Sequence, residues 1–268
     1  MTAASRESSG RLEFTIREPW INALDDEWSS SNFFDGSRVD ASGALKVLRR
    51  ILVQGDMWCR LESESIAFHC SDDEWVYVGI DGPIPIGIDP FGTVIDQVEF
   101  SPYSLDLSTS PVTEPADDAY WERVAALVEA EGEAIVLCAW AAGRLGEDWY
   151  LVTSAADLND ARQRLVPRST IATFSSSNFT TVVGRGRSVL WDLTRGSSSL
   201  GRVRILVKAG RDIQLGAVVV VDEDPLVRRW RSLTRPLFVL VFPLETSDLL
   251  LAAVPDQDGV VRTRVTFD

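Results

Sequence analysis

The sequence predicts an α+β fold of two lobes, built from mostly antiparallel sheets with a few packed helices. Three observations support this. Hydrophobic residues are 45% of the 268 residues and charged residues 25%, a balance typical of a chain that buries a core. Short runs of alternating apolar and polar residues, typical of strands, recur along the chain. Helical periodicity is clear in three stretches, near residues 41–53, 117–130 and 154–165.

The first part of the chain predicts one strand and one helix. Residues 11–17 alternate apolar and polar side chains, and residues 20–27 leave room for a short helix. Asp40 is suited to cap the helix of residues 41–53, and Gly55 is suited to end it. Leucines and their apolar neighbours are expected to form the packed stripe of this helix: Leu45, Val47, Leu48, Ile51 and Leu52.

Residues 56–80 predict a three-stranded meander with strands at 57–61, 65–70 and 75–80. Alternation places one apolar set on a single face, expected against the 41–53 helix: Met57, Cys59, Leu61, Ile66, Phe68, Cys70, Val76, Val78 and Ile80. The opposite face collects aromatic and polar side chains: Trp58, Arg60, Ala67, His69, Trp75 and Tyr77. The turn before the third strand is acidic, with Asp72, Asp73 and Glu74.

The remaining pattern defines the lobes. Residues 1–103 are predicted to form an acidic α+β N-terminal lobe, 104–117 a linker rich in Ser, Thr, Pro and Asp, and 118–268 a β-rich, mildly basic C-terminal lobe. Ser154 and Asp157 form a variant of the capping box before the last helix. Further strands are predicted at 93–100, 134–140, 149–153, 169–174, 179–183, 189–193, 203–207, 213–221 and 237–242, with a closing hairpin of 250–254 and 260–266.

Charge is distributed unevenly along the chain. The net charge is −14, yet residues 51–150 contain 20 acids and 3 bases, and residues 151–268 contain 12 acids and 16 bases. An acidic lobe repels nucleic acid and anionic membrane and attracts basic proteins. The arginine-rich run at residues 228–235 resembles a nucleic-acid patch, but the net charge makes nucleic acid an unlikely partner, and docking within the protein is the favoured interpretation.

Composition also predicts a compartment. The polar start MTAASRESSG has no apolar core of a secretory signal, and no apolar run is long enough to span a membrane. Three widely spaced cysteines are typical of reduced thiols. Lysine occurs only at Lys46 and Lys208, a bias toward arginine that is typical of GC-rich bacterial genomes. We therefore expect a cytoplasmic bacterial protein without a membrane partner.

No catalytic, cofactor or metal motif of useful specificity is present. Cys59, His69 and Cys70 are the only candidates for a soft-metal site, with Cys138 far away in sequence, and the alternation puts His69 on the face opposite the two cysteines. His69 lacks a nucleophile motif beside it. The acidic runs fit turns and helix caps better than converging catalytic pairs. We expect no cofactor, no metal and no catalytic residues.

The aromatic and acidic face of the meander is the candidate binding site. Large rigid aromatic side chains dominate interface hot spots, and acidic rims steer basic partners. The predicted contact residues are Trp58, Arg60, His69, Asp72, Asp73, Glu74, Trp75 and Tyr77. The sequence favours a non-catalytic protein-binding protein, specifically an immunity or antitoxin-type protein that neutralises a basic toxin. Cover of this face by residues 81–100 or by the second lobe is the competing interpretation.

Two other functions stay open from sequence alone. One is a hydrolase or transferase whose acids and His69 converge only in the folded structure. The other is a structural subunit of a larger assembly.

Overall fold

The structure is a computed structural model, and it describes residues 12–22, 27–70, 75–82, 114–143, 145–182, 202–209, 212–220, 237–241 and 249–263. Two sheets and three α-helices form an α+β fold of two lobes, and every pairing between the named strands is antiparallel. The predicted fold class is confirmed. The chain divides into two compact units, Met1–Ser110 with Trp140–Gly146, and Pro111–Ala139 with Glu147–Asp268. Most of the predicted linker lies outside the described residues, so the predicted lobe bounds stay a prediction.

The first unit contains a five-stranded sheet in the order β2-β1-β3-β4-β5. Its strands are β1 (Glu13–Ile21), β2 (Arg38–Asp40), β3 (Met57–Glu62), β4 (Ile66–Cys70) and β5 (Val76–Ile80). The meander of residues 56–80 is therefore confirmed. Residues 20 and 21, placed by sequence in a short helix, belong instead to β1, because this strand continues across Pro19 by means of a bulge.

Helix α1 (Ala41–Gln54) begins and ends as the sequence predicts. The Asp40 side chain accepts a hydrogen bond from the Gly43 N–H at 2.9 Å, and Gly55 ends the helix with φ of 64°. The predicted apolar stripe is confirmed for Val47, which is fully buried, and wrong for Leu45 and Leu52, which are 68% and 60% exposed.

The buried face of α1 consists of Ala44, Val47 and Arg50. Arg50 lies on this buried face with its charge paired. Its guanidinium donates to both carboxylate oxygens of Asp56, at 2.8 and 2.9 Å, and this bidentate pair holds Arg50 inward. The buried face of α1 therefore shares Val47 with the predicted stripe but otherwise has smaller apolar side chains and a paired arginine.

The expectation for the apolar face of β5 is also wrong. Val76, Val78 and Ile80 are 39%, 51% and 38% exposed, whereas Met57, Cys59 and Leu61 on β3 are buried. The cause is position: α1 packs chiefly on β1, β2 and β3, and β5 is at the edge of the sheet.

The second unit contains an eight-stranded sheet in the order β13-β8-β6-β7-β11-β10-β12-β9. Its strands are β6 (Ala134–Ala139), β7 (Glu147–Val152), β8 (Thr170–Ser175), β9 (Phe179–Val182), β10 (Arg202–Ala209), β11 (Asp212–Val220), β12 (Leu237–Val241) and β13 (Leu250–Ala253). Helices α2 (Asp118–Glu131) and α3 (Ala155–Gln163) complete it. Most predicted strands of this lobe are confirmed; the one at 189–193 lies outside the described residues, as does the strand predicted at 93–100 in the first lobe.

Strand β6 is buried on both faces, which its continuous apolar sequence AIVLCA reflects. One face packs with residues of α2 and α3, and Tyr120 of α2 shares a buried hydrogen bond of 2.8 Å with Thr173. The other face packs with Trp149, Phe174 and Leu206. The Ser154 side chain caps α3 by accepting from the Asp157 N–H at 3.3 Å, as predicted.

The predicted closing hairpin is wrong in the part that is described. Strand β13 pairs with β8, and residues 260–263 are not a strand. An ionic cluster explains the difference: Arg168 pairs with Asp256 at 2.9 Å, and Arg262 pairs with Asp256 and Asp258 at 2.6 Å each. This cluster holds the segment after β13 as a turn.

None of the helices in the described part of the chain combines the length and the apolar character needed to cross a membrane.

Candidate functional site

The candidate binding face lies on the first sheet, on the side away from Met57, Cys59 and Leu61. The strand register aligns Arg17 of β1, Arg60 of β3, His69 of β4 and Tyr77 of β5 in one row across four strands. Side chains in such a row point to the same side and contact their neighbours. The register therefore confirms that Arg60, His69 and Tyr77 lie on one face of the sheet, as predicted.

The two tryptophans differ in their surroundings. The indole N–H of Trp58, at the start of β3, donates to the carbonyl oxygen of Cys70 at the end of β4, so this half-buried ring fastens the two strands together. Trp75 immediately precedes β5 and is 45% exposed. Of the predicted aromatic residues, Trp75 therefore offers the most contact area to a partner.

Arg60 and His69 are each only 8% exposed. As binding residues they stay a prediction, and any role they have is to support the surface from beneath it. The predicted acids Asp72, Asp73 and Glu74 lie outside the described residues.

A network of charges surrounds Arg60. Its Nη1 atom lies 3.2 Å from Oε1 of Glu62, and its Nε atom lies 3.1 Å from Oε2 of Glu18. Glu62 also contacts Arg17, with 3.3 Å between Arg Nε and Glu Oε2, and His69, with 3.7 Å between His Nε2 and Glu Oε1. Two arginines thus meet the carboxylates of Glu18 and Glu62, and Asp35 adds a third carboxylate beside Glu18.

Glu18 reaches this face because of a bulge in β1. Arg17 pairs with Arg60 and Trp20 with Trp58, so β1 spends one residue more than β3 over the same distance. The extra residue reverses the alternation, and Glu18 adopts a positive φ of 49°. Its N–H donates to the Asp35 carboxylate at 2.9 Å, which holds the bulge in place. Burial raises the pKa of Glu18, and the Arg60 charge opposes that rise.

No protein-family model, no curated protein and no solved structure matches the chain. Function must therefore be inferred from the chemistry of these side chains.

The network has the character of a structural ion cluster. Arg60 lies between the two carboxylates, and His69 is buried beside them. Within the described residues, no three His, Cys, Asp or Glu side chains are placed to hold a metal ion. The three cysteines are free and buried, as predicted, and burial raises the pKa of Cys138 to about 12. Thiols of this kind are protonated at neutral pH.

His69 provides a direct test of the network, because it is the only histidine of the chain. Burial and then the nearby Arg60 charge lower the pKa of His69 below its ordinary value of 6.5, against a weaker opposing effect of Glu62. We expect its ring signals in NMR to titrate with a midpoint below 6.5. Because the unfolded chain takes up this proton more readily, the free energy of unfolding should fall as pH decreases below 6.5.

The matched variant is His69→Gln, which cannot titrate. Between pH 6.5 and 5 the wild type should lose stability relative to this variant, as measured by urea unfolding at each pH. A midpoint at or above 6.5, with no relative loss, would contradict the described surroundings of His69.

Sequence reasoning missed the acids of the network and the exposed strand. The strand predicted at 57–61 stops one residue before Glu62, although the spacing of two between Arg60 and Glu62 puts both on the same face. Glu18 carried no such signal, because the bulge reverses the alternation; the following Pro19 was the one hint of an irregular strand. The exposed apolar residues of β5 look like core residues in the sequence, because an edge strand and a central strand can show the same alternation of apolar and polar side chains.

Proposed function

We propose that this protein is a non-catalytic protein-binding protein of bacterial origin that neutralises a basic partner, in the manner of an immunity or antitoxin-type protein. The supporting observation is the exposure of large apolar side chains on both faces of one short segment: Trp75 on one face, and Val76, Val78 and Ile80 on the other. Exposed apolar residues grouped on one face, as Val76, Val78 and Ile80 are, are typical of interaction sites. Trp is also the residue type most enriched at energetic hot spots.

Charge indicates the kind of partner. Residues 63–81 contain five acids, at positions 64, 72, 73, 74 and 81, and neither lysine nor arginine. An acidic rim around an apolar contact accelerates association with basic proteins and discourages acidic ones. Apolar contact supplies affinity, and the acids supply selectivity for a basic partner.

The experiment uses the full-length chain and the purified products of the genes next to its own. We expect one basic product to bind, and its toxicity to a growing culture to be suppressed by co-expression. Trp75→Ala combined with Asp73→Arg should weaken the complex at least about tenfold in calorimetry.

A matched control separates the site from general changes in charge and apolar area. Leu52→Ala combined with Glu129→Arg removes an exposed apolar side chain of α1 and reverses the charge of an exposed acid of α2. This control should bind within about twofold of wild type. If no neighbouring product binds, the proposed function fails; if both double variants bind equally, the assignment of the site fails.

The hydrolase or transferase alternative stays a hypothesis. Its required elements, His69 and two acids, do come together, but the neutralising Arg60 lies among them and His69 is nearly buried. This arrangement gives the alternative no observation of its own.

A further inference from the structure

The backbone N–H and C=O groups of β5 point alternately toward β4 and away from it. The hydrogen-bond pattern shows which residues point in each direction. The Asp81 N–H donates to the Ser65 carbonyl at 2.9 Å, so these two residues form a hydrogen-bonded pair of the antiparallel ladder. Such pairs recur every second residue. With Ile66 opposite Ile80 and His69 opposite Tyr77, the next bonded pairs along β5 are those of Gly79 and Tyr77.

The backbone groups of Val76, Val78 and Ile80 therefore point away from β4. Strand β5 is the outer strand of its sheet, and its described strand partner is β4. Within the part of the chain that the structure describes, no hydrogen bond to the outward N–H or C=O groups of these three residues is present. The same three residues carry exposed side chains. Among the described residues, the outward backbone groups and the exposed side chains of β5 therefore lie along the same edge.

Natural proteins usually protect such an edge. Common devices are an inward-pointing charge, a proline, a bulge or a very short strand. Strand β5 contains none of these: its sequence is VYVGI, and its register with β4 is regular over all five residues. An apolar edge that lacks these devices is a template for pairing with another strand.

We propose that β5 receives an extended, basic segment of the partner as a sixth strand of the first sheet. This inference rests on the proposed function and gives its mode of recognition. Backbone pairing to Val76, Val78 and Ile80 supplies affinity, and apolar side chains at alternate positions of the segment pack on the same three residues. The intervening side chains of the segment lie on the side of Trp75 and Tyr77.

Charge favours a basic segment over a second copy of this chain. Glu64 and Asp81 lie at one end of β5, joined through the Asp81–Ser65 hydrogen bond, and Asp72, Asp73 and Glu74 precede the other end in sequence. Pairing of two copies edge to edge would bring these acids together, and like charges across a contact are unfavourable. Arginine or lysine at alternate positions of the added strand would neutralise them.

The test uses a synthetic peptide of about eight residues in which valine alternates with arginine, a length that covers the strand. Hydrogen exchange at single amides, read by NMR on the full-length protein, is the main measurement. We expect the peptide to slow exchange at Val76, Val78 and Ile80. Tyr77 and Gly79, already paired with β4, should change little. A peptide of alternating valine and glutamate should leave all five amides as they are.

One variant removes the outward donor without touching the ladder to β4. Val78→Pro deletes an N–H that faces away from β4, and proline is tolerated at such edge positions. Peptide affinity should fall at least about tenfold, while the matched variant Val78→Thr, which keeps the N–H, should lose about threefold or less. Retained protection at Tyr77 and Gly79 shows that Val78→Pro still pairs with β4.

Each other outcome overturns the strand addition in its own way. Binding of the valine–arginine peptide without added protection at the three amides means docking by side chains and charge alone. Protection already present in the peptide-free protein means that the edge is occupied, by a second copy if it depends on concentration and by the chain itself if it does not. No binding of the peptide, when a neighbouring gene product does bind, excludes a basic extended segment as the occupant.

The two proposals fail separately. If the peptide adds to β5 but no neighbouring gene product binds, the strand site stands and the neutralising function falls.

Discussion

Gly143→Ala should destabilise the protein by about 3 kcal/mol or more. Gly143 lies in the loop between β6 and β7 with a φ of 94°, a conformation that side chains oppose. A Cβ atom there would lie 2.5 Å from the Ile21 carbonyl oxygen and 2.8 Å from the Trp20 indole nitrogen. The first of these is backbone, so the loop itself must move. That movement breaks the hydrogen bonds of Ala142 with Pro19 and Ile21.

Gly132→Ala is the matched control. Gly132 ends α2 with a similar φ of 85°, but nothing lies within 4 Å of the position of a new Cβ atom. Its cost should be only that of the left-handed backbone, about 1 kcal/mol. Urea unfolding of both variants, followed by circular dichroism, measures the difference. Equal losses would show that the close approach of the loop to β1 contributes nothing.

Arg60→Met should lower the free energy of unfolding by about 2–3 kcal/mol. The change leaves Glu18 and Glu62 without their shared cation next to buried His69. Loss of one partner of a fully buried pair costs more, but these two carboxylates are about one-third exposed and water recovers part of the loss. The pKa of His69 should rise as well, because Arg60 is one of the two causes that lower it.

Arg17→Met provides the comparison. Arg17 shares Glu62 with Arg60, yet its side chain is more exposed, and within the described residues its one ion pair is the 3.3 Å contact with Glu62. Its removal should cost less than about 1 kcal/mol and should leave the His69 titration near its wild-type midpoint. Similar stability losses from the two variants, or an unchanged His69 midpoint in Arg60→Met, would contradict the central place of Arg60.

Local chemistry made much of the fold predictable. Asp40, Gly55 and Ser154 favour helix ends through contacts with residues close in sequence, so these helix ends could be predicted without the tertiary structure. The strands from β3 to β5 follow from alternation alone, which also placed Arg60, His69 and Tyr77 on one face. Such features depend on neighbours within a few residues.

The failures concern packing and backbone irregularity, which the alternation of apolar and polar residues does not record. The exposure of Leu45 and Leu52 depends on which side of α1 packs on the sheet, and the helical periodicity of the sequence allowed more than one side. Exposure of Val78 depends on how far α1 extends over the sheet. Glu18 joins the network because β1 contains an extra residue. A face assignment based on strict alternation does not predict where such a bulge interrupts the strand.

The loop Trp140–Gly146 has a consequence for how the chain can be divided. It belongs to the first compact unit, although the residues before and after it belong to the second. A fragment that ends at the predicted linker would therefore lack the Ala142 hydrogen bonds to Pro19 and Ile21, along with Gly143 against β1. On the ribosome, likewise, β1 is synthesised long before the residues that complete its surroundings. The first unit is contiguous in space but not in order of synthesis, and full-length protein is the proper material for studying either unit.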